Sequence, residues 1–373
     1  MNEDKATRYQ RLKRRAGIVS LLWSVALLAA IVLSGASVAW RSAAETLAPA
    51  GRLHDAATVA IYVVFLALAT EIAGLPIAFY SGYLLERRYG LSTEPIGGWA
   101  LDQLKSFAIL VVFGVIAATV VYAFIRRAPQ WWWLPAAAVF AVLIVGLANL
   151  GPVLLLPLFY RVKPLEREAL RQRLLALADR AGARVLGAYE WGLAEKTRKA
   201  NAALAGLGGT RRILVSDTML AEYSEDEIEV VLAHELAHHV HGDIWKGLIF
   251  ESALIFAGCF AAARLLAALA GWAGLRGAAD PAGIPLLLAG AGAVSLVMLP
   301  AAHALSRAHE RNADRFALTL TRNPAAFISA MRRLAAQNLA EDQPSKVVQW
   351  LFYSHPPIRD RIAAAQAFRP PVS

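Results

Sequence analysis

The feature that most restricts this 373-residue chain is a set of six apolar runs, at residues 16–40, 56–85, 106–125, 131–160, 247–272 and 283–305. A bilayer's hydrocarbon core is about 30 Å thick, so about 20 apolar residues cross it as a helix, which satisfies every backbone polar group within one segment. The second run is interrupted by Glu71 and Pro76, and the fourth opens with Trp131, Trp132 and Trp133, rings suited to a membrane–water interface. The first run follows a polar, basic stretch; it is too long for a signal-peptide core, and no Ala-x-Ala cleavage site clearly ends it, so it reads as a retained span. A soluble globule with 57% hydrophobic and 18% charged residues would expose much of its apolar surface, whereas a bilayer accepts it.

Two stretches break the pattern. Residues 161–245 regain charge, with helix-like sequence at 164–182 and alternating, turn-like sequence around 201–215; residues 306–373 are polar again. The expected organisation is a basic arm at 1–15, four spans within 16–160, a soluble insert at 161–245, a two-span hairpin at 246–305 and a soluble segment at 306–373. Even numbers of spans on each side of the insert put both soluble pieces on the side of the arm. Arg87, Arg88, Lys105, Arg161 and Lys163 mark that side as cytoplasmic, with Arg126 and Arg127 as exceptions across the membrane. This clustering at the ends of apolar runs accounts for the net charge of +10; no basic-aromatic pattern accompanies it, and nucleic acid is not an expected partner. Cys259, the only cysteine, permits neither an intramolecular disulfide nor a cysteine-rich zinc cluster, which leaves packing. Glu71, Glu251 and Arg264 stand within spans, where they either reach headgroups, satisfy one another or line an aqueous cavity.

The insert carries the chemistry. Ser224 and Glu227 have the spacing of a capping box and introduce IEVVLAHELAHHVHG, with Gly242 as its stop. On that helix His234 and His238 are four residues apart and share a face, so both imidazoles can reach one Zn²⁺. Glu235, next to the first ligand, is placed to take a proton from an activated water. Val230, Val231, Leu232, Leu236 and Val240 can bury the helix's other face, and His239 and His241 lie off the metal-facing row, where solvent exposure or local hydrogen bonds are expected rather than ligation. Catalytic zinc takes three protein ligands and leaves one position open. In SRAHERNADRFAL, Glu310 and Asp314 are one turn apart, so Glu310 can complete the set while Asp314 orients an imidazole.

These motifs resemble peptidase family M48, specifically its Ste24-like CAAX prenyl protease branch. The resemblance rests on RYGLSTEPIGGWALDQLK at 88–105, PLFYRVKPL at 157–165, HELAH at 234–238 and SRAHERNAD at 306–314. It implies His234, His238 and Glu310 as ligands of one zinc per chain, with Asp314 supporting them. KANAALAG at 199–206 resembles the family's substrate-holding edge strand, which implies that Asn201, Ala202 and Ala203 hold an extended peptide; an unpaired edge accepts substrate by β-addition. SHPPIRDR at 354–361 resembles the C-terminal motif, which implies His355 as an oxyanion donor and Arg361 as a support for peptide or site. The sequence departs from the eukaryotic enzymes in having six spans rather than seven, the shortfall falling between Trp40 and Ala56. It departs again at Ala203, where an aromatic is usual, and at Asp243, where a histidine is usual.

The expected fold is mainly α: a polytopic bundle with a zincin-like cytoplasmic module containing a small β-hairpin or sheet. The expected activity is zinc-dependent endopeptidase cleavage of peptides or membrane proteins, prenylated CAAX sequences among them, at a bacterial inner membrane. An HtpX-like quality-control protease is the alternative by substrate. A transporter or scaffold with structural zinc is the non-enzymatic one, disfavoured because such a site has no need of Glu235 beside the first ligand. The absence of a GxSxG motif argues against a serine hydrolase. The sequence leaves oligomeric state open.

Overall fold

The structure is a computed structural model describing residues 4–206 and 208–369. Residues 1–3 of the basic arm, residue 207 of the turn-like stretch and residues 370–373 of the C-terminal segment lie outside the described residues. Six helices among the described residues are long and apolar enough to cross a membrane, and a small mixed sheet accompanies them. The chain is thus mainly helical and multi-pass.

The first four spans are α1 (Lys5–Leu33), the continuous helix His54–Arg88, α5 (Ile96–Arg127) and α6 (Trp133–Leu154). Between the first two lies α2 (Ala36–Leu47); the second comprises α3 (His54–Ala78), a π-helical stretch Phe79–Leu84 and α4 (Leu85–Arg88). The run at 16–40, read from sequence as one span, is therefore two helices. Gly35 adopts a left-handed φ of 75°, where α1 ends and α2 begins. Polar groups hold α2 inward: Ser37 Oγ donates to Ala282 O at 2.7 Å, and buried Arg41 donates Nη1–H to Asp280 Oδ2 at 2.6 Å. Hydropathy cannot register such a break, because apolar residues continue on both sides of the glycine. Glu71 finds its partner inside the bundle, accepting from Gln103 Nε2 at 2.7 Å, while Glu251 and Arg264 are exposed.

After a short helix α7 (Leu156–Phe159), the soluble insert folds as β1 (Val162–Pro164), α8 (Glu168–Arg180), β2 (Ala188–Trp191), β3 (Ala202–Ala205), β4 (Arg212–Ser216), α9 (Asp217–Glu222) and α10 (Glu225–Val240). The sheet order is β1-β2-β4-β3, with β2 parallel to β4 and the other pairs antiparallel, so β3 forms an edge. Leu170, Leu174 and Leu177 recur at helical spacing on α8 and fill the core between Ile213 and Val215 of the sheet and Ile228 and Leu232 of α10.

The capping box is formed: Glu227 N–H donates to Ser224 Oγ at 3.3 Å and Ser224 N–H to Glu227 Oε2 at 2.8 Å. Arg333 Nε also donates to Glu227 Oε1 at 2.9 Å, tying the start of α10 to α13 (Pro324–Gln337). The last spans are α11 (Asp243–Leu269) and α12 (Ile284–Thr321), the latter entered through a 3₁₀ turn at Pro281–Gly283. They approach closely at small residues, since a Cβ on Gly290 would lie 2.7 Å from Ala262 Cα. Two short helices, α14 (Lys346–Phe352) and α15 (Ile358–Ala367), are the last elements among the described residues.

A buried carboxylate joins bundle to module. Glu86, at the end of the second span, accepts from Tyr9 Oη at 2.6 Å and Lys13 Nζ at 2.6 Å and pairs with Lys199 Nζ at 2.8 Å. Lys199 stands just ahead of β3, so the edge strand is held against the first two spans.

Candidate active site

Helix α10 presents His234 and His238 one turn apart, and α12 brings Glu310 to them. Glu310 Oε2 lies 3.2 Å from His234 Nε2, and Oε1 lies 3.3 Å from His238 Nε2. One donor atom from each of the three residues falls within 4.8 Å of the others, a group that can hold a metal ion. The opposite nitrogens are each held by a carboxylate: His234 Nδ1 is 2.8 Å from Asp314 Oδ1, and His238 Nδ1 is 3.2 Å from Asp243 Oδ2. A carboxylate accepting Nδ1–H fixes the tautomer that turns the Nε2 lone pair inward. Glu310 Oε2 is moreover buried without a hydrogen-bond donor, a carboxylate oxygen whose lone pairs a cation would satisfy. Two imidazole nitrogens and a carboxylate with room for a further ligand fit catalytic zinc.

The electrostatics agree with this fit. Burial disfavours a charged imidazole at His234, yet the adjoining Asp314 and Glu310 outweigh it and raise the pKa to about 9. At His238, too, burial is overcome, chiefly by Glu310. The cluster therefore favours positive charge at the imidazoles, a demand that a divalent cation meets in place of protons. Burial also pushes the Glu235 carboxyl above its ordinary pKa, against the pull of both imidazoles, which makes it a better proton acceptor than an exposed glutamate.

The remaining sequence candidates surround this centre. Arg361 is buried and grips Asp314 through two bonds, Nε to Oδ2 at 2.8 Å and Nη2 to Oδ1 at 2.6 Å. His355 is exposed, with Nε2 3.4 Å from Glu310 Oε1 and Nδ1 2.9 Å from Ser354 Oγ. With the Ser354 hydroxyl donating to Nδ1, the His355 hydrogen sits on Nε2, the nitrogen on the side of Glu310. His234, Glu235, Glu310, His355 and Arg361 share a cleft of about 350 Å³ with Asn201 and Ala202; Met219, Val231 and Met331 give it apolar walls.

The edge strand divides the three residues expected to hold peptide. Asn201 O accepts from Ser216 N–H at 3.0 Å, and its own N–H donates to Ser216 Oγ at 3.0 Å, so its backbone faces β4. Antiparallel alternation turns Ala203 the same way and points the backbone of Ala202 and Leu204 to the free edge. His239, on α10, lies with Nε2 3.1 Å from Leu204 O, tying that outward carbonyl to the catalytic helix. Of the three expected residues, Ala202 therefore has its backbone at the free edge, while the Asn201 side chain is exposed beside the cleft.

Two residues with a part in this geometry were not assigned one from sequence. Asp243 stood out only as a departure, and His239 only as a local hydrogen-bonding group. The signal for Asp243 is its position directly after Gly242, whose left-handed φ of 67° turns the chain back toward His238.

The geometry has counterparts. The profile of peptidase family M48 matches residues 164–369, and that of the CAAX prenyl protease N-terminal region, described by five membrane helices, matches residues 2–161. The chain belongs to peptidase family M48. It is a membrane-embedded, zinc-dependent endopeptidase. Among relatives of this M48 peptidase, a Bacillus subtilis protein named uncharacterised metalloprotease YhfN is 31% identical over 309 residues, covering 82% of this chain and 72% of the relative. CAAX prenyl protease 1 of Saccharomyces cerevisiae is 30% identical over 208 residues, 54% of this chain and 45% of that protein. The crystal structure of S. mikatae Ste24p shares the fold, with a TM-score of 0.86 at 23% identity over 97% of this chain and 88% of that one. Where the N-terminal family region is described by five membrane helices, the described residues of this chain form four of spanning length and the 12-residue α2.

Proposed function

We propose that this M48 peptidase binds one Zn²⁺ per chain through His234, His238 and Glu310 and cleaves extended segments of peptides or membrane proteins, accepting a prenylated CAAX sequence without requiring it. The observation that carries the reading is the convergence of three ligand atoms beside Glu235 in a cleft bordered by the free edge of β3. Zinc bound there supplies Lewis acidity to the scissile carbonyl and lowers the pKa of a water molecule. The chain's own residues do the rest. The Ala202 backbone pairs with the substrate backbone, and Asn201 steadies it from the cleft wall. Glu235 takes the proton of the attacking water and returns it to the leaving amine. His355 Nε2–H donates to the oxyanion as it develops. Arg361 holds Asp314, and Asp314 holds His234 in its ligating orientation.

Backbone pairing reads little of side-chain identity, which supports breadth of substrate. The basic residues at the ends of the spans support a cytoplasmic cleft, and a bacterial inner membrane is the proposed location. The HtpX-like role in disposing of damaged membrane proteins is compatible with the same tolerance.

The test compares matched prenylated and unmodified peptides in detergent and in bilayers, with Glu235→Gln as background. Turnover of both members supports the broad reading. Turnover of the prenylated member alone, in both environments and across several sequences, replaces it with a dedicated CAAX protease.

A further inference from the structure

The seven residues of α14, KVVQWLF, include five apolar side chains, and none of the seven is buried. Val347 is 66% exposed, Trp350 54% and Phe352 39%. A helix this short has no stability of its own, and in water this face would be an unexplained apolar patch. Its depth relative to the spans explains it. Arg14 lies two residues outside the apolar run of α1, and its Nη1 donates to Tyr353 Oη at 2.7 Å. Arg307 lies two residues outside the apolar run of α12, and its Nη1 donates to Tyr353 O at 2.6 Å and to Gln349 O at 3.1 Å. At a helical rise of about 1.5 Å per residue, both spans put these arginines about 3 Å beyond the hydrocarbon, whereas the headgroup layer is about 5–7 Å thick on each side.

We propose that α14 is an interfacial anchor whose Val347–Trp350 face rests among the lipid headgroups beside α1 and α12. The occupant is the bilayer that already holds those two spans, so the surface continues an interface the molecule must have. Trp350 is the residue type that favours this depth, and exposed Lys346 at the start of the helix matches anionic lipid. The anchor bears on the active site, because Pro344 and Tyr353, on either side of α14, line the catalytic cleft, and His355 follows two residues later. Lipid contact thereby seats one wall of the cleft.

The test places an environment-sensitive fluorophore at Val347→Cys in a Cys259→Ala background, in nanodiscs of phosphatidylcholine and phosphatidylglycerol holding one chain each. A control label sits at exposed Glu168→Cys on α8, and Trp350→Cys is a second reporter should Val347→Cys lose its zinc or its cooperative melting. The expected result is blue-shifted emission, quenched about twofold or more by lipids carrying a nitroxide near the headgroup, with the control label unaffected. Quenching no greater than at the control site overturns the proposal. So does a blue shift without nitroxide quenching, which would mean that protein, not lipid, covers the face.

Discussion

Replacing Asp243 by alanine isolates the carboxylate that the motif does not contain. In the folded chain Asp243 Oδ2 stands 3.2 Å from His238 Nδ1, and Oδ1 accepts from Lys246 Nζ at 2.9 Å. Without it, His238 loses the acceptor that fixes its tautomer and ring plane, and loss of such a partner weakens metal affinity by about 10–100-fold, or about 1.4–2.8 kcal/mol. The same substitution removes an acidic residue from the first turn of α11, worth about 0.3–1 kcal/mol of helix stability, so the metal effect must be separated from the fold effect. Asp243→Asn keeps an oxygen for Nδ1–H while removing the charge, and its loss should stay below about 10-fold. The assay is a competition titration against a chromophoric zinc chelator, paired with thermal melting of the metal-free protein and turnover at saturating zinc. Expected is a weakened zinc constant with turnover restored to within about threefold once the site is filled, because Asp243 does not itself touch the substrate. Wild-type zinc affinity in Asp243→Ala would refute the orienting role.

Three further outcomes follow from the packing. Burial acts to raise the Glu227 carboxyl's pKa, but Ser329, the Ser224 N–H and Arg333 overcome it and hold it below the ordinary value. The unfolded chain then binds the proton more readily, so Glu227 stabilises at neutral pH and its contribution falls away as the pH drops through the depressed folded pKa. Glu227→Gln should cost about 1–2 kcal/mol at pH 7, as loss of a cap does, and little once wild type is itself protonated, measured by denaturant unfolding at both pH values. Gly290→Val places side-chain atoms where Ala262 Cα already lies 2.7 Å from an added Cβ, so the α11–α12 pair should melt at lower temperature in detergent; an unchanged melt would refute the close approach. His239→Leu should raise KM about 10-fold with kcat little changed, because the edge strand loses its tie to α10, while His239→Gln, which retains an N–H donor, should recover most of the affinity; a fall in kcat with unchanged KM would contradict this.

What was legible in the sequence was whatever depends on near neighbours along the chain. The six spans follow from run length, and the start and face of α10 follow from Ser224, Glu227 and the four-residue spacing of His234 and His238. Glu310 was reachable only through topology, since 72 residues and two spans separate it from His238. The sheet order was not legible: its strands are three to five residues long and pair across the fold, too short for periodicity to fix a register. The break at Gly35 was hidden because its cause lies far away, in the bonds of Ser37 and Arg41 to the turn at 280–282. Asp243 was read as a substitution rather than as a partner, because the left-handed turn at Gly242 that returns it to His238 is a property of backbone geometry.

Metal dependence is tested most directly by a zinc titration of purified, metal-stripped protein with peptide turnover followed alongside metal content. Negligible turnover is expected without metal, with recovery that saturates at about one zinc per chain and zinc-replete but inactive Glu235→Gln protein. Undiminished peptide cleavage by demonstrably metal-free protein would contradict it.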